Sequence, residues 1–191
     1  MRKNSRPSTP DTARVVLGID PGTLATGYGI ISRRGGRLRL LECGTITSRS
    51  DVPIPLRLLR IYRELRTLLR KFRPDEVAIE SAFYGKNPQS ALKLGHARGV
   101  SLLAAVESDI PTAEYSPREV KQSVAGRGNA SKEQVQFMVR ALLDAPADSM
   151  VLDASDALAI AICHLHRRFS PQETHKDWKS FVEAHPERVR T

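Results

Sequence analysis

The alternation of apolar and polar positions predicts five strands and five helices in a fixed order. Residues 15–20 are apolar until the closing Asp20, the pattern of a strand buried on both faces. Residues 26–33 and 37–47 read as two further strands, and Gly35-Gly36 between them is a hairpin turn signal. The three would form an antiparallel meander. Pro53-Ile-Pro55 then opens a helix with Leu56, Leu59, Tyr62, Leu65, Leu69 and Phe72 at helical spacing, ended by Pro74-Asp75. "EVAIE" is a short fourth strand ending at Glu80. Asn87-Pro88 opens a long helix to about Glu107, and residues 112–115 form a fifth strand.

Two capping boxes mark the next helix starts: Ser116 with Glu119, and Ser131 with Gln134. The loop "AGRGNA" separates them. The last helix, from Asp153, is rich in small and aliphatic residues, "DASDALAIAICHLHRR", which predicts close packing on the sheet. The order βββ-α-β-α-β-α-α-α gives an α/β fold on one mixed sheet, because a helix between the fourth and fifth strands supplies the crossover that parallel pairing requires. The predicted organisation is a basic, disordered arm over residues 1–13, a domain over 14–169 and a polar tail over 170–191.

Charge narrows the partners. Thirty Lys and Arg stand against 21 Asp and Glu, a net +9 with a pI near 10.0, which points to a polyanion. Nucleic acid is favoured over a lipid surface, because no long basic amphipathic helix is found. No apolar run approaches the roughly 20 residues of a membrane span. Cys43 and Cys163 are far apart and form no C-x-x-C pattern, so the expected setting is a reducing one, the cytoplasm.

The chemistry turns on "VLGIDPGTLATGYGII", residues 16–31. A strand, a tight Pro21-Gly22-Thr23 turn and a second strand could hold a nucleotide phosphate on the turn's N–H groups, as in actin-like ATPases and sugar kinases. They could equally hold a metal ion through Asp20. Three further acids bear on the choice. Glu80 ends the fourth strand, and neighbouring parallel strands end close together. Asp153 and Asp156 are i and i+3 at the start of the last helix, one face apart by about 5–6 Å. Individually, Asp153 and Asp156 suit an N-cap and a first helical turn, and Glu80 suits a solvated loop. Together, four converging acids require cations between them, and hard oxygen donors suit Mg²⁺ or Mn²⁺. Two divalent ions about 4 Å apart can clamp a phosphodiester, activate a water and stabilise the departing oxygen. Cys163 and His166 have zinc-like spacing but lack two further ligands, so core packing and a basic helix end explain them better. No tyrosine sits in an Arg/His cluster of the kind a covalent tyrosine nuclease uses.

The blocks "GIDPGTLATGYGII", "AIESAFYGKN", "SALKLGHARGV", "VKQSVAGRGNASKEQV" and "DASDALAIAICH" resemble, in order, those of the RuvC family of Holliday-junction resolvases, members of the ribonuclease H-like superfamily. The match spans about Val15 to His166. Actin-like ATPases carry two lobes over a much longer chain, and 191 residues leave no room for them. The resemblance implies a ribonuclease H-like mixed five-stranded sheet, three antiparallel strands then two parallel, flanked by helices. It implies an all-acid site of Asp20, Glu80, Asp153 and Asp156 holding two Mg²⁺, with Mn²⁺ able to substitute. Lys121 and Lys132 match the family's active-site lysines and Phe83 a base-stacking aromatic. Tyr84, Lys86, Asn87, Arg98 and Arg127 are expected as further DNA contacts. The implied activity is Mg²⁺-dependent hydrolysis of four-way DNA junctions by a homodimer, through paired nicks leaving 5′-phosphate and 3′-hydroxyl ends. A branch-migration complex of RuvA and RuvB type is the implied partner. Two other readings stay open: a ribonuclease H-like nuclease of RNA or RNA–DNA hybrids, and a non-catalytic junction-binding protein.

Overall fold

The computed structural model describes residues 13–81, 88–144 and 152–169, with the backbone alone for 152, 153 and 169. Its elements run β1 (Arg14–Asp20), β2 (Ala25–Arg34), β3 (Arg37–Thr47), α1 (Ile54–Phe72), β4 (Glu76–Glu80), α2 (Pro88–Val106), β5 (Thr112–Tyr115), α3 (Pro117–Ala125), α4 (Lys132–Leu143) and α5 (Leu152–Phe169). The predicted order and bounds hold to within one residue at the ends. Gly35 and Gly36 both have positive φ, at 54° and 83°, as a type I′ hairpin turn demands.

The sheet order is β3-β2-β1-β4-β5. β3, β2 and β1 are antiparallel, and β1–β4 and β4–β5 are parallel. This is the predicted mixed sheet, with β1 at its centre.

Period-two alternation sends strand side chains to two cores. On one face Leu17, Ile19, Ile30, Val77 and Ile79 pack under α1 and α2. On the other, Val16, Ile31 and Ala78 pack under α3, α4 and α5. Asp20 and Glu80 share the parity of Val16 and Ala78, so they belong to the α5 side.

The close packing predicted for the last helix is present, and its cause lies in the strands. Gly18 and Gly29 are register partners across β1 and β2. A Cβ on Gly18 would stand 2.0 Å from the Ala157 carbonyl oxygen, and one on Gly29 2.5 Å from Leu158. Ala154, Ala157 and Ala161 of α5 are fully buried against this bare patch.

The α1 stripe is rotated from the expected one. Leu56 and Leu59 are 56% and 40% exposed, and Ile61, Leu65 and Leu69 fill the core. Arg57 takes the buried position in the first turn, its guanidinium donating to the carbonyls of Val52, at 2.6 Å, and Ser50. That anchor to the preceding loop turns Leu56 and Leu59 outward.

Candidate active site

The sheet topology brings the first two acids together. Ile19 and Ile79 pair across parallel β1 and β4, so Asp20 and Glu80 end neighbouring strands. The turn after Asp20 is closed by its own residues: the Thr26 hydroxyl donates to the Gly22 carbonyl at 2.6 Å and faces the Gly22 N–H at 3.4 Å. Thr26 is fully buried, and a Cβ on Gly22 would meet the Ala25 carbonyl at 2.3 Å. The turn is therefore compact and fixes where β1 delivers its carboxylate.

The cations come from two capped helices. In α3 the Ser116 hydroxyl accepts from the Glu119 N–H while Glu119 accepts from the Ser116 N–H, and Lys121 follows one turn on. In α4 the Ser131 and Gln134 pair does the same, and Lys132 is the first helical residue. Both predicted capping boxes are thus present. Lys132 Nζ donates to Oδ2 of Asp156 on α5 at 2.7 Å.

Glu80, Lys121, Lys132 and Asp156 line one cleft of about 200 Å³, walled by Pro117, Val120, Val135 and Ala159. Burial is the largest influence on Glu80. With the charges of Asp20 and Asp156 and a hydrogen bond to Asp20, it pushes the Glu80 carboxyl up to about 8, against a smaller opposing pull from Lys121. Burial and the neighbouring carboxylates therefore favour the protonated form of Glu80. Among the described residues, no three His, Cys, Asp or Glu side chains are gathered closely enough to hold a metal ion. The Asp153 backbone lies in the first turn of α5, and its side chain is outside the described residues. The donor set fits a hard divalent cation even so. It consists of carboxylates alone, and their mutual repulsion, already visible at Glu80, is what such a cation relieves.

The remaining expected site residues divide. Phe83, Tyr84, Lys86 and Asn87 lie outside the described residues. Arg98 is held by Glu114 of β5 through contacts of 2.6–3.1 Å, so its charge is already matched. Arg127 is exposed in the α3–α4 loop, beside a groove lined by Phe137 and Met138. Cys163 is fully buried and His166 packs by the Ser123 carbonyl at 3.2 Å, the core and helix-end roles expected of them. The sequence reading missed a second polar cluster on the same sheet face, formed by Glu76, Tyr115 and His164. Its signals were an acid opening an apolar strand and a histidine inside an apolar helix.

A mixed sheet of three antiparallel and two parallel strands, with acids at the ends of the first and fourth, is the ribonuclease H-like arrangement. The family described as crossover junction endodeoxyribonuclease RuvC matches residues 16–164, and the chain belongs to that family. It is 41% identical to the crossover junction endodeoxyribonuclease RuvC of Cytophaga hutchinsonii, over all of this chain and 94% of the relative. It is 45% identical to the one of Salinibacter ruber, over 92% and 98% of the two chains. Among solved structures it resembles T. thermophilus RuvC in complex with Holliday junction substrate, with a TM-score of 0.77 and 37% identity over 81% of this chain and 94% of that one.

Proposed function

We propose that this chain resolves four-way DNA junctions by metal-dependent phosphodiester hydrolysis, making paired nicks that leave 5′-phosphate and 3′-hydroxyl ends. The observation that carries this reading is a cleft lined by Glu80, Asp156, Lys121 and Lys132, with Asp20 hydrogen-bonded to Glu80, in a member of the crossover junction endodeoxyribonuclease family. The similarity to T. thermophilus RuvC, solved with a Holliday junction, supports the substrate.

Asp20, Glu80, Asp153 and Asp156 would hold the metal, two Mg²⁺ ions with Mn²⁺ as a substitute. When bound, the metal supplies water activation and charge neutralisation at the phosphate. The ionised form of Glu80 would be favoured by a divalent cation held there. Lys121 and Lys132 face the same cleft and hold the phosphate or offset its developing charge. The net charge of +9 provides affinity for the phosphate backbone. Phe83 would stack on an unpaired base near the crossover. Tyr84, Lys86, Asn87 and Arg127 would extend the DNA contact, and Arg98 would do so only on leaving Glu114.

One domain carries one such cleft, and resolving a junction takes two cuts, so a two-fold dimer matches the substrate. The surface that supports it is on α2, where Leu92, Leu103 and Val106 are 62%, 58% and 62% exposed. Of the other apolar residues on that helix, Val100 and Leu102 pack against the protein's own core. A branch-migration complex of RuvA and RuvB type and a cytoplasmic setting belong to the same proposal. Among the described residues no helix is long and apolar enough to cross a membrane. The arm 1–13 and tail 170–191 are proposed to lie outside the nuclease domain.

The reading is tested by comparing a synthetic four-way junction, an RNA–DNA hybrid and a linear duplex as substrates. Selective cutting of the junction is expected. Preference for the hybrid would favour a different ribonuclease H-like nuclease, and binding without cutting a junction-binding protein.

A further inference from the structure

A buried polar network ties together the far ends of the elements that carry the site residues. His164 on α5 is 3% exposed. Its Nε2 lies 2.7 Å from Oε2 of Glu76, the first residue of β4. Its Nδ1 lies 2.8 Å from the hydroxyl of Tyr115, the last residue of β5. The other oxygen of Glu76 meets Arg14, which opens β1, at 3.4 Å and Arg168 of α5 at 3.3 Å. At their opposite ends β1, β4 and α5 bear Asp20, Glu80 and Asp156. Tyr115 leads directly into Ser116, the cap of the helix bearing Lys121, and its carbonyl accepts from the Ser81 N–H beside Glu80 at 2.8 Å.

We infer that His164 is a positioning residue for cleavage: bonded through both ring nitrogens to two strands, it fixes the axial position of α5 on the sheet, and with it the reach of Asp156 toward Glu80 and Lys132. This rests on the reading of the cleft as the cleavage site. The physical need arises from the packing. Gly18, Gly29 and the alanines of α5 set how closely the helix approaches the sheet. Small smooth surfaces interlock weakly along the helix axis, and one residue of slip moves a side chain by about 1.5 Å. Directional bonds from a rigid ring to Glu76 and Tyr115 oppose that slip, and a displacement of about 1 Å at a reacting centre can cost roughly 100-fold in rate.

The test uses the full chain and three variants. His164→Leu removes both bonds at similar volume. His164→Gln keeps a donor and an acceptor, and Tyr115→Phe removes one bond. At saturating junction and well below melting, His164→Leu is expected to cleave about 10-fold slower or worse, with a junction Kd within about two-fold of wild type. His164→Gln should recover most of the rate, and Tyr115→Phe should fall between. A folded His164→Leu that cleaves within about two-fold of wild type overturns the inference, since a purely structural role would lower only its melting temperature. If His164→Leu does not fold, Tyr115→Phe decides: an unchanged rate overturns the inference and a reduced one supports it. Hydrogen exchange at Ala154–Leu158 separates this inference from the functional reading. If wild type itself fails to cut junctions, faster exchange there in His164→Leu or Tyr115→Phe still supports the positioning role, and unchanged exchange overturns it.

Discussion

Lys132 Nζ and Oδ2 of Asp156 stand 2.7 Å apart, joining the first residue of α4 to the first turns of α5 at the mouth of the cleft. The side chains are 49% and 32% exposed, so the pair contributes about 1 kcal/mol or less to folding. In the proposed function, the pair places a cation where a phosphate would sit. Lys132→Ala is expected to slow single-turnover junction cleavage by roughly 10- to 1000-fold, while thermal melting stays close to wild type. Stopped assays and melting curves on the same preparation check both halves.

Glu80 makes the metal-free protein's stability depend on pH. Its carboxyl is raised from 4.5 to about 8 in the fold, by burial first and then by Asp20 and Asp156. Between these values the folded state keeps a proton that the unfolded chain releases. The contribution of Glu80 to stability therefore falls as pH rises from about 4.5 and levels off above about 8. Glu80→Gln removes that dependence. In chelator at pH 8.5 it should be more stable than wild type by about 1–3 kcal/mol, and the difference should shrink toward pH 5. Urea titrations at the two pH values measure it, and a gap that widens toward low pH would contradict the assignment.

The bare glycine pair under α5 is rigid in its demand. A methyl group on Gly18 would stand 2.0 Å from a backbone oxygen, which cannot rotate away. Gly18→Ala is expected to cost about 3 kcal/mol or more, read as a lower urea midpoint. Gly95→Ala and Gly99→Ala meet nothing within 4 Å on α2 and should leave the protomer's fold intact.

The proposed dimer is tested on the same helix. Leu103→Asp with Val106→Asp, at positions 58% and 62% exposed in the protomer, should leave the fold intact and shift sedimentation from dimer to monomer. Such a monomer should nick but not resolve a junction. Paired resolution by the monomeric variant would show that the two-fold argument fails.

Much of this was legible in the sequence because local chemistry decides it. Gly35-Gly36, Pro53, Ser116 and Ser131 each mark an element boundary through turn or cap requirements that depend on few neighbours. The convergence of Asp20 and Glu80 was legible because parallel strand ends must meet. What escaped the sequence reading depends on distant partners. The outward turn of Leu56 and Leu59 follows from Arg57 bonding the preceding loop. The need for glycine at 18 and 29 becomes visible only once α5 lies on them. Glu76 and His164 meet across 88 residues, and neither has a local pattern naming the other.

The central claim, that the acids at the ends of β1 and β4 drive metal-dependent junction resolution, is tested most directly by one cleavage assay. A synthetic four-way junction is incubated with wild type or Asp20→Asn, in Mg²⁺ or in chelator, with binding followed by gel shift on the same samples. Wild type in Mg²⁺ should give paired nicks with 5′-phosphate and 3′-hydroxyl ends, and none in chelator. Asp20→Asn should bind the junction at least as tightly and leave it uncut, because affinity comes mainly from Lys and Arg contacts to phosphate. Cleavage by Asp20→Asn at near the wild-type rate in Mg²⁺, or equal cleavage by wild type in chelator, would contradict the account.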